Sequence, residues 1–253
     1  MKRQLFSLFM TGVLVSCQPP DHQSGIRIEA VDNSPAVEYA SLSLDQESAS
    51  FRRGENQLNF LIQEYELGKP TPHERARQWA NSAKGQHIHL IIDGSDYMAH
   101  YKPQVALDLD TGRHDLIAFL SRSYHESLKH PEAFQAVRLT IDEAGASSIE
   151  GIAEERLIYS RPKGSYTIDP DHPQPILLDF YLLNTELSEV NRVKVWLDGE
   201  SYVLNEWKPH LIYGLKAGEH RIRLQLISIH GEPIGGSEND SGIRKFDIQY
   251  QSK

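Results

Sequence analysis

The first half of this chain concentrates side chains that can bind a metal ion or an anion. Seven of the twelve histidines lie between residues 73 and 130. His87 and His89 are two residues apart in QHIHLIIDG, so a β-strand at this place presents both imidazoles on one face. The related stretch RVKVWLDG has Arg192 and Lys194 at the corresponding positions. Because arginine and lysine side chains are mostly exposed in proteins, we expect the histidine face to be solvated.

A loop that follows a long apolar run adds further candidates. It reads RSYHESLK over residues 122–129 and has no counterpart in the later stretch. In an immunoglobulin-like sandwich, this loop and the start of the histidine strand lie at the same end. His73 and Trp79 could join them from an inserted segment. The candidate ligand-binding residues are His87, His89, His100, Arg122, Tyr124, His125, Glu126 and Lys129.

These residues leave three interpretations open. The first is an organic or anionic ligand with Arg122 and Lys129 as charge partners and aromatic surfaces from Trp79, Tyr101 and Tyr124. The second is a solvated face that contacts another protein or has a structural role. The third is a transition-metal site for Zn²⁺ or Cu²⁺, with ligands from His87, His89, His100 and His125. We expect a binding role without a cofactor, with the metal site as the alternative.

Little in the sequence predicts catalysis. The chain has no Gly-x-Ser-x-Gly elbow, no His-Glu-x-x-His helix, no phosphate-binding glycine loop and no candidate cysteine nucleophile. Ser123 and Ser127 flank His125 closely enough to suggest a dyad, but neighbours of this kind arise readily by chance. Asp108 and Asp110 are better explained as a solvated strand edge. We therefore expect a protein that is not an enzyme.

The chain contains two copies of one pattern. Residues 86–122 align with residues 192–226, and three signals recur in them, Asp-Gly, Lys-Pro and Gly-x-His. An Asp-Gly pair after an apolar strand favours a tight hairpin turn. His114 and His220 occupy the same place in the two copies, in phase with the apolar side of their strands. We expect both to be hydrogen-bonded structural residues.

Short alternating runs divided by turn signals predict an all-β protein built from two tandem immunoglobulin-like or fibronectin-like β-sandwiches. The first sandwich covers residues 34–142, residues 143–155 are a linker, and the second sandwich covers residues 156–253. The predicted strands of the first are 36–44, 57–66, 86–92, 96–101, 104–109, 113–122 and 135–142. Those of the second are 156–161, 176–184, 192–198, 201–204, 211–214, 219–230 and 242–250.

The first copy also contains an insertion, KPTPHERARQWANSAKG, before its histidine strand. Thr71 and Glu74 have the spacing of a capping box, Pro72 suits a first helical turn, and Gly85 can end a helix. The insertion therefore predicts a short helix over residues 72–83.

The N-terminus predicts a lipoprotein of the bacterial cell envelope. Residues 1–16 have a positive start and an apolar run too short to span a bilayer, and LVSC resembles a lipobox that ends at Cys17. We expect Cys17 to be lipidated and residues 17–33 to be a tether to the outer membrane or cell surface. Loss of the signal peptide moves the formal charge from −9 to −11, because Lys2 and Arg3 leave with it. No basic stripe remains to follow a phosphate backbone, so we expect no nucleic-acid partner.

One family resemblance supports this assignment. The segments HIHLIIDG and TGRHDLIAFLSRSYHESLKHPEAF resemble domains of secreted bacterial proteins and lipoproteins that have no assigned activity. Those domains carry a His-x-His strand, a Gly-x-His strand and an Arg-x-(Trp/Tyr)-x-Glu-Ser-x-Lys loop. The similarity covers residues 86–141, and this chain has Tyr124 where tryptophan is expected. The resemblance implies a β-sandwich and an envelope location, and it implies no activity.

Overall fold

The computed structural model describes residues 25–46, 51–145 and 147–251, and these residues fold mainly as β-strands. The predicted signal peptide, Cys17 and the start of the predicted tether lie outside the described residues. Within the described part, no helix is long and apolar enough to cross a membrane. The strands are β1 Arg27–Ala30, β2 Ser41–Leu44, β3 Gly54–Gln63, β4 His87–Ile92, β5 Met98–His100, β6 Gln104–Leu109, β7 Gly112–Ser121, β8 Phe134–Ile141, β9 Ser147–Gly151, β10 Arg156–Arg161, β11 Gly164–Ile168, β12 Ile176–Leu183, β13 Asn191–Leu197, β14 Glu200–Leu204, β15 His210–Tyr213, β16 Gly218–Ser228 and β17 Arg244–Tyr250.

The strands form two pairs of sheets, each with its own apolar core. In the first sheet pair, a sheet ordered β2-β3-β6 packs on one ordered β5-β4-β7-β8-β9. In the second sheet pair, a sheet ordered β1-β15-β12-β10 packs on one ordered β11-β17-β16-β13-β14. Alternate side chains of each strand fill the space between the two sheets of a pair, as the period-2 pattern requires. The prediction of an all-β fold with sandwich-like sheets is confirmed.

Three strands were not predicted, and two of them lie in segments that were interpreted as connections. Strand β1 falls in the predicted tether, yet it pairs antiparallel with β15 of the second sheet pair. Strand β9 falls in the predicted linker and pairs antiparallel with β8. The third, β11, is an edge strand that runs parallel to β17. The tether prediction is therefore wrong over 27–30, and the linker prediction is wrong over 147–151.

The inserted helix is a single turn, α1, over Arg75–Gln78, so the predicted helix over 72–83 is wrong in length. The predicted capping box is also wrong, because the N-cap residue is Glu74 and its side chain makes no cap hydrogen bond. The Thr71 hydroxyl instead accepts a hydrogen bond from the backbone N–H of Ser123 (2.9 Å) and donates one to Gln86 (3.2 Å). The inserted segment is thus held against the 122–129 loop rather than wound into a longer helix.

The repeated histidines have the structural role predicted for them. His114 and His220 each contact the aspartate of the preceding Asp-Gly turn, with Nδ1 2.8 Å from Asp93 and 2.6 Å from Asp198. The other oxygen of each carboxylate accepts the backbone N–H of the residue after the histidine, at 2.9 Å in both copies. Both residues of each Asp-Gly turn have positive φ, which matches a tight hairpin. Each sheet pair therefore contains the same arrangement, which we call the histidine–aspartate lock.

The outer face of the β4–β7 sheet is covered by the second sheet pair, contrary to the expectation that it is solvated. His87 and His89 are fully buried on this face. They share it with an apolar cluster that joins the two sheet pairs and consists of Ile91, Tyr97, Ile117, Phe119, Ile152, Ile158 and Tyr181. The sheet is apolar on both faces, as in strands buried between two layers. Arg192 and Lys194, the charged counterparts in the second copy, lie on a sheet face that is not covered in this way. They therefore did not predict the burial of His87 and His89.

We expect Gly85→Ala to destabilise the fold more than a glycine change at an open turn. Gly85 has a φ of +88°, and a Cβ there would lie 2.6 Å from the backbone of Gly68 and Lys69. Left-handed strain and the backbone clash together cost about 3 kcal/mol. The control Gly199→Ala has a similar φ of +91° and open space around it, so it should cost only the strain, about 1–2 kcal/mol. Free energies of unfolding from denaturant titration measure both, and equal losses would contradict the close approach at Gly85.

Candidate functional site

Three histidines from the first sheet pair converge on one point. His87 and His89 come from β4, and His125 comes from the loop after β7. His87 Nε2 lies 2.9 Å from His89 Nε2 and 3.2 Å from His125 Nδ1. All three ring nitrogens lie within 4.8 Å of one another. We call these residues the histidine cluster.

The pairing of β4 and the tight turn after β7 position these three side chains. Strand β4 is held between β5 and β7, and its residues 87 and 89 point to the same face. His125 lies in a tight turn in which its N–H donates to the carbonyl of Arg122 at 2.9 Å, while the N–H of Arg122 donates to the carbonyl of Glu126 at 2.9 Å. His125 has a φ of +68°, a left-handed conformation that is strained for a residue with a side chain. The hydrogen bonds of the turn hold this strained conformation, which places the His125 ring next to β4.

The cluster lies at the junction of the two sheet pairs. Tyr97 stacks on His89 with ring centroids 3.7 Å apart, and the Tyr101 ring is 5.1 Å from His87. From the second sheet pair, Ser160 of β10 places its Oγ 3.1 Å from His89 Nδ1. His87 and His89 are buried, whereas His125 is partly exposed. Access from solvent is therefore through His125.

Neutral imidazoles can form one in-plane N–H···N hydrogen bond to His87 in this arrangement. His87 Nδ1 is 2.8 Å from the carbonyl oxygen of Gly85, which can only accept, so Nδ1 donates and Nε2 keeps its lone pair. That single lone pair faces both His89 Nε2 and His125 Nδ1. Only one of these nitrogens can donate to it in the plane of the ring. A cation at the centre would accept a lone pair from all three rings at once.

Burial keeps the cluster uncharged. Desolvation lowers the pKa of His87 to about 4, and the positive charge of Arg161 acts in the same direction. Burial likewise lowers the pKa of His89 and of His125 far below the usual value, with further lowering from the neighbouring histidines and Arg161. All three rings are therefore neutral near pH 7, which is the form that binds metal ions.

The geometry of the cluster fits a first-row transition metal. Two imidazole nitrogens on a tetrahedral Zn²⁺ are about 3.4 Å apart, given Zn–N bonds of about 2.0–2.1 Å. Two of the separations, 2.9 and 3.2 Å, need a small opening to reach that value, and the third, within 4.8 Å, needs to shorten. The Nδ1–H of His87 on the Gly85 carbonyl is the kind of outer hydrogen bond that orients metal-binding imidazoles. A set of three imidazoles without sulfur suits Zn²⁺ or Cu²⁺.

His100 is not part of the cluster, so its inclusion among the predicted ligands is wrong. In the β4–β5 ladder it pairs with Ile88, which places both side chains on the face opposite to His87 and His89. Its Nε2 is buried and has no hydrogen-bond partner within the described ranges. Burial lowers the pKa of His100 as well. The end of the sheet that His100 approaches was predicted correctly from the sequence. The face of the sheet on which its side chain lies was not.

The predicted residues Arg122, Tyr124 and Glu126 are buried and bonded within the protein. The Glu126 carboxylate accepts hydrogen bonds from the Ser34 N–H (2.8 Å), the Ser34 hydroxyl (2.6 Å) and Arg75 Nη1 (2.9 Å). Tyr124 donates its hydroxyl proton to Ser34 Oγ at 2.8 Å, and Arg122 donates to a backbone carbonyl. These groups tie the loop to the N-terminal segment and to α1. The prediction that they offer a ligand-binding surface is therefore corrected to a structural role.

The two candidates from the inserted segment belong to the same packing. Trp79 is buried and meets the Tyr124 ring edge-on at 5.6 Å, and the His73 ring is 5.8 Å from Tyr124. Trp79 and Tyr124 pack with Leu177 and Leu211 of the second sheet pair. The insertion therefore helps to join the two sheet pairs and does not line the histidine cluster.

Lys129 likewise forms an ion pair within the protein. Its ammonium forms an ion pair with Asp179 of β12 and donates to Ser127 Oγ at 2.7 Å. The side chains of Lys129 and Asp179 are 5% and 0% exposed. A buried pair of this kind crosses between the sheet pairs and leaves no charge for an external ligand.

Several residues at the junction were missed from the sequence. Ser160 and Arg161 come from the second sheet pair, and Tyr97 lies in the hairpin after β4. No spacing or motif separates Ser160 and Arg161 from other polar residues at a strand end. Their proximity to the cluster depends on how the sheet pairs pack. Tyr97 follows the Asp-Gly turn and could have been found from strand phase, because it shares the face of His89.

Comparison with known proteins finds similarity among solved structures. No protein-family model matches it, and no curated protein is significantly similar to it. Among solved structures it is similar to the fibronectin(III)-like modules of Clostridium thermocellum CbhA, at 11% identity and a TM-score of 0.29 over 83% of this chain and 94% of that chain. It is also similar to Bacteroides ovatus SGBP-B in complex with a mixed-linkage heptasaccharide, at 8% identity and a TM-score of 0.23 over 92% and 72%. A third similarity is to the extracellular domain of a hybrid two-component system of B. thetaiotaomicron, at 12% identity and a TM-score of 0.29 over 87% and 40%. At such low scores these similarities support no conclusion about function.

We expect Lys129→Met to destabilise the protein by about 3–5 kcal/mol, because it leaves the buried Asp179 carboxylate without its counter-ion. The matched control is Lys245→Met, which breaks an ion pair with Glu219 whose side chains are each about half exposed, and it should change little. Denaturant titration of both variants measures the difference. A Lys129 variant as stable as the control would show that the buried pair does not hold the junction.

Proposed function

We propose that this protein is a non-catalytic binding protein whose ligand is a transition-metal ion, Zn²⁺ or Cu²⁺, held by His87, His89 and His125. The observation that supports this most is the convergence of three neutral ring nitrogens within 4.8 Å. The His87 Nε2 lone pair can accept one in-plane hydrogen bond from the other two rings, whereas one cation would bind all three nitrogens. The organic-ligand alternative loses support, since its charge partners are bonded internally.

The position of the site also supports binding rather than catalysis. Two ligands are buried beneath the second sheet pair, and the third lies at the edge of the junction. The two serines next to His125 do not form a dyad with it in the described structure. Ser123 Oγ accepts a hydrogen bond from the N–H of Thr71 at 3.1 Å, and Ser127 Oγ accepts one from the Lys129 ammonium at 2.7 Å. Neither hydroxyl is placed to be activated by the His125 ring.

We further propose that each sheet pair is one copy of a duplicated immunoglobulin-like domain. The matching histidine–aspartate locks, His114 with Asp93 and His220 with Asp198, support this. The copies are not a simple tandem, since β1 precedes the first copy in the chain and joins the second. Such an exchange ties the N-terminal segment to the far sheet pair.

The proposed location is the bacterial cell envelope, with a lipid on Cys17 as the membrane anchor. The basis is the sequence of residues 1–17, a short apolar run that ends in LVSC. Because β1 begins at Arg27, few residues separate Cys17 from the folded part.

We expect the purified full chain to bind one Zn²⁺ or Cu²⁺, and His87→Ala, His89→Ala and His125→Ala each to weaken binding by on the order of 100-fold, because each removes one of three ligands. His100→Ala is the matched control, as it removes a partly buried histidine of the same sheet that faces the other way. Equilibrium dialysis followed by elemental analysis gives the stoichiometry and affinity. The proposal fails if the wild-type chain binds no metal, or if His125→Ala binds as tightly as His100→Ala.

A further inference from the structure

Arg161 is a buried cation beside the histidine cluster. It lies at the end of β10, and its side chain is almost completely shielded from solvent. The β10–β12 ladder shifts register between Tyr159 and Arg161, which marks a bulge. A bulge can turn two successive side chains to the same side of a sheet. Here Ser160 reaches His89 and Arg161 reaches Tyr97, so both meet the first sheet pair.

The guanidinium of Arg161 is incompletely partnered. Its Nη1 donates to the Tyr166 hydroxyl at 3.0 Å and to the Lys163 carbonyl at 3.3 Å. Its Nε is buried and has no hydrogen-bond partner in the described part of the chain. Among those same residues, no carboxylate lies within ion-pair distance of it. Aromatic rings compensate in part, with Cζ 5.3 Å from the Tyr97 ring centroid.

A buried positive charge without a counter-ion is costly, and the usual compensation is a nearby anion. The next cation along the chain, Lys163, adds to the imbalance. Its Nζ lies over the Tyr97 ring at 4.5 Å and donates to the Tyr97 carbonyl, and within the described ranges it too has no ion-pair partner. Two cations therefore surround one tyrosine, and the carboxylate that acts on the pKa of Lys163, Asp96, forms its own ion pair with Arg244.

The same tyrosine connects Arg161 to the cluster. Tyr97 stacks on His89 at 3.7 Å and lies 5.3 Å from the Arg161 guanidinium, so one aromatic ring is next to both a candidate metal ligand and Arg161. The positive charge of Arg161 lowers the pKa of His87, His89 and His125. A divalent metal here would raise the local positive charge further. Three imidazoles also leave at least one coordination position open.

We infer that the metal site takes a small oxyanion, such as a carboxylate or bicarbonate, with one oxygen on the metal and another facing Arg161. This inference rests on the proposed function. The oxyanion would complete the coordination sphere, neutralise part of the buried charge and give Nε of Arg161 the acceptor that it lacks. The protein would then recognise a metal together with an anion, not the bare ion.

The test uses the full chain loaded with Co²⁺, whose visible absorption reports its ligands, and acetate as the probe. Acetate should change the Co²⁺ spectrum with saturation, and sodium chloride at equal ionic strength should not reproduce the change. In Arg161→Met we expect the acetate affinity to fall at least about 10-fold, the size of effect expected for one charge-assisted contact. Arg221→Met, which removes an exposed arginine of β16, should leave it unchanged.

Arg161→Lys is the second variant, because it keeps the charge if the methionine variant folds poorly. We expect it to bind acetate more tightly than Arg161→Met, and circular dichroism checks that each variant is folded. The inference is overturned if wild-type and both Arg161 variants bind acetate equally, or if chloride gives the same spectral change.

A second measurement separates this inference from the proposed function. Acetate is added to the metal-free chain, and the thermal midpoint of unfolding is followed for wild type and Arg161→Met. If Co²⁺ binds and acetate has no effect on its spectrum, the metal site stands and the oxyanion is rejected. If Co²⁺ does not bind but acetate still stabilises only the wild type, the metal function is rejected and the anion site at Arg161 stands. If neither binds, both are rejected.

Discussion

The packing of the second sheet pair against the outer face of the β4–β7 sheet determines the chemistry of this protein. It removes His87 and His89 from water and keeps their rings neutral. It also brings Ser160 into contact with His89. Without this contact the two histidines would be ordinary solvated residues of an exposed strand. The apolar cluster around Phe119 and Tyr181 supplies the driving force, because burial of large apolar and aromatic surfaces dominates such interfaces.

The 122–129 loop is the second element on which the cluster depends. Its polar side chains are held by partners inside the protein, with Glu126 bonded to Ser34 and Arg75 and Lys129 to Asp179. These contacts hold a turn in which His125 has a left-handed backbone conformation. A strained residue persists only where its surroundings fix it, and here both flanks of the turn are fixed. Glu126 and Lys129, which were expected to bind a ligand, therefore position His125 in the histidine cluster.

Much of the fold could be predicted from the sequence, because strand periodicity and turn chemistry are local. Every predicted strand is present, and the His114 and His220 locks follow from the repeat. The missed strands β1, β9 and β11 are short edge strands with few apolar residues, so their pattern is weak. Strand β1 also pairs with residues far along the chain, and no local signal reveals such a partner.

The site was only partly predictable. Membership of His87, His89 and His125 follows from strand phase and loop placement, and His100 fails because its register places it on the other face. Burial of the cluster depends on contacts between the sheet pairs. One signal for it was present, since the runs HIHLII and LIAFL are apolar on both faces, as buried strands are. Arg161 and Ser160 could not be assigned to the site without the packing itself.

X-ray absorption spectroscopy of the Zn²⁺-loaded protein tests the central claim most directly, because it measures the ligands of the bound metal. The account predicts three imidazole nitrogens at about 2.0–2.1 Å, together with one oxygen ligand. A first shell made only of oxygens, with no outer-ring scattering from imidazole, would contradict a metal site built from His87, His89 and His125.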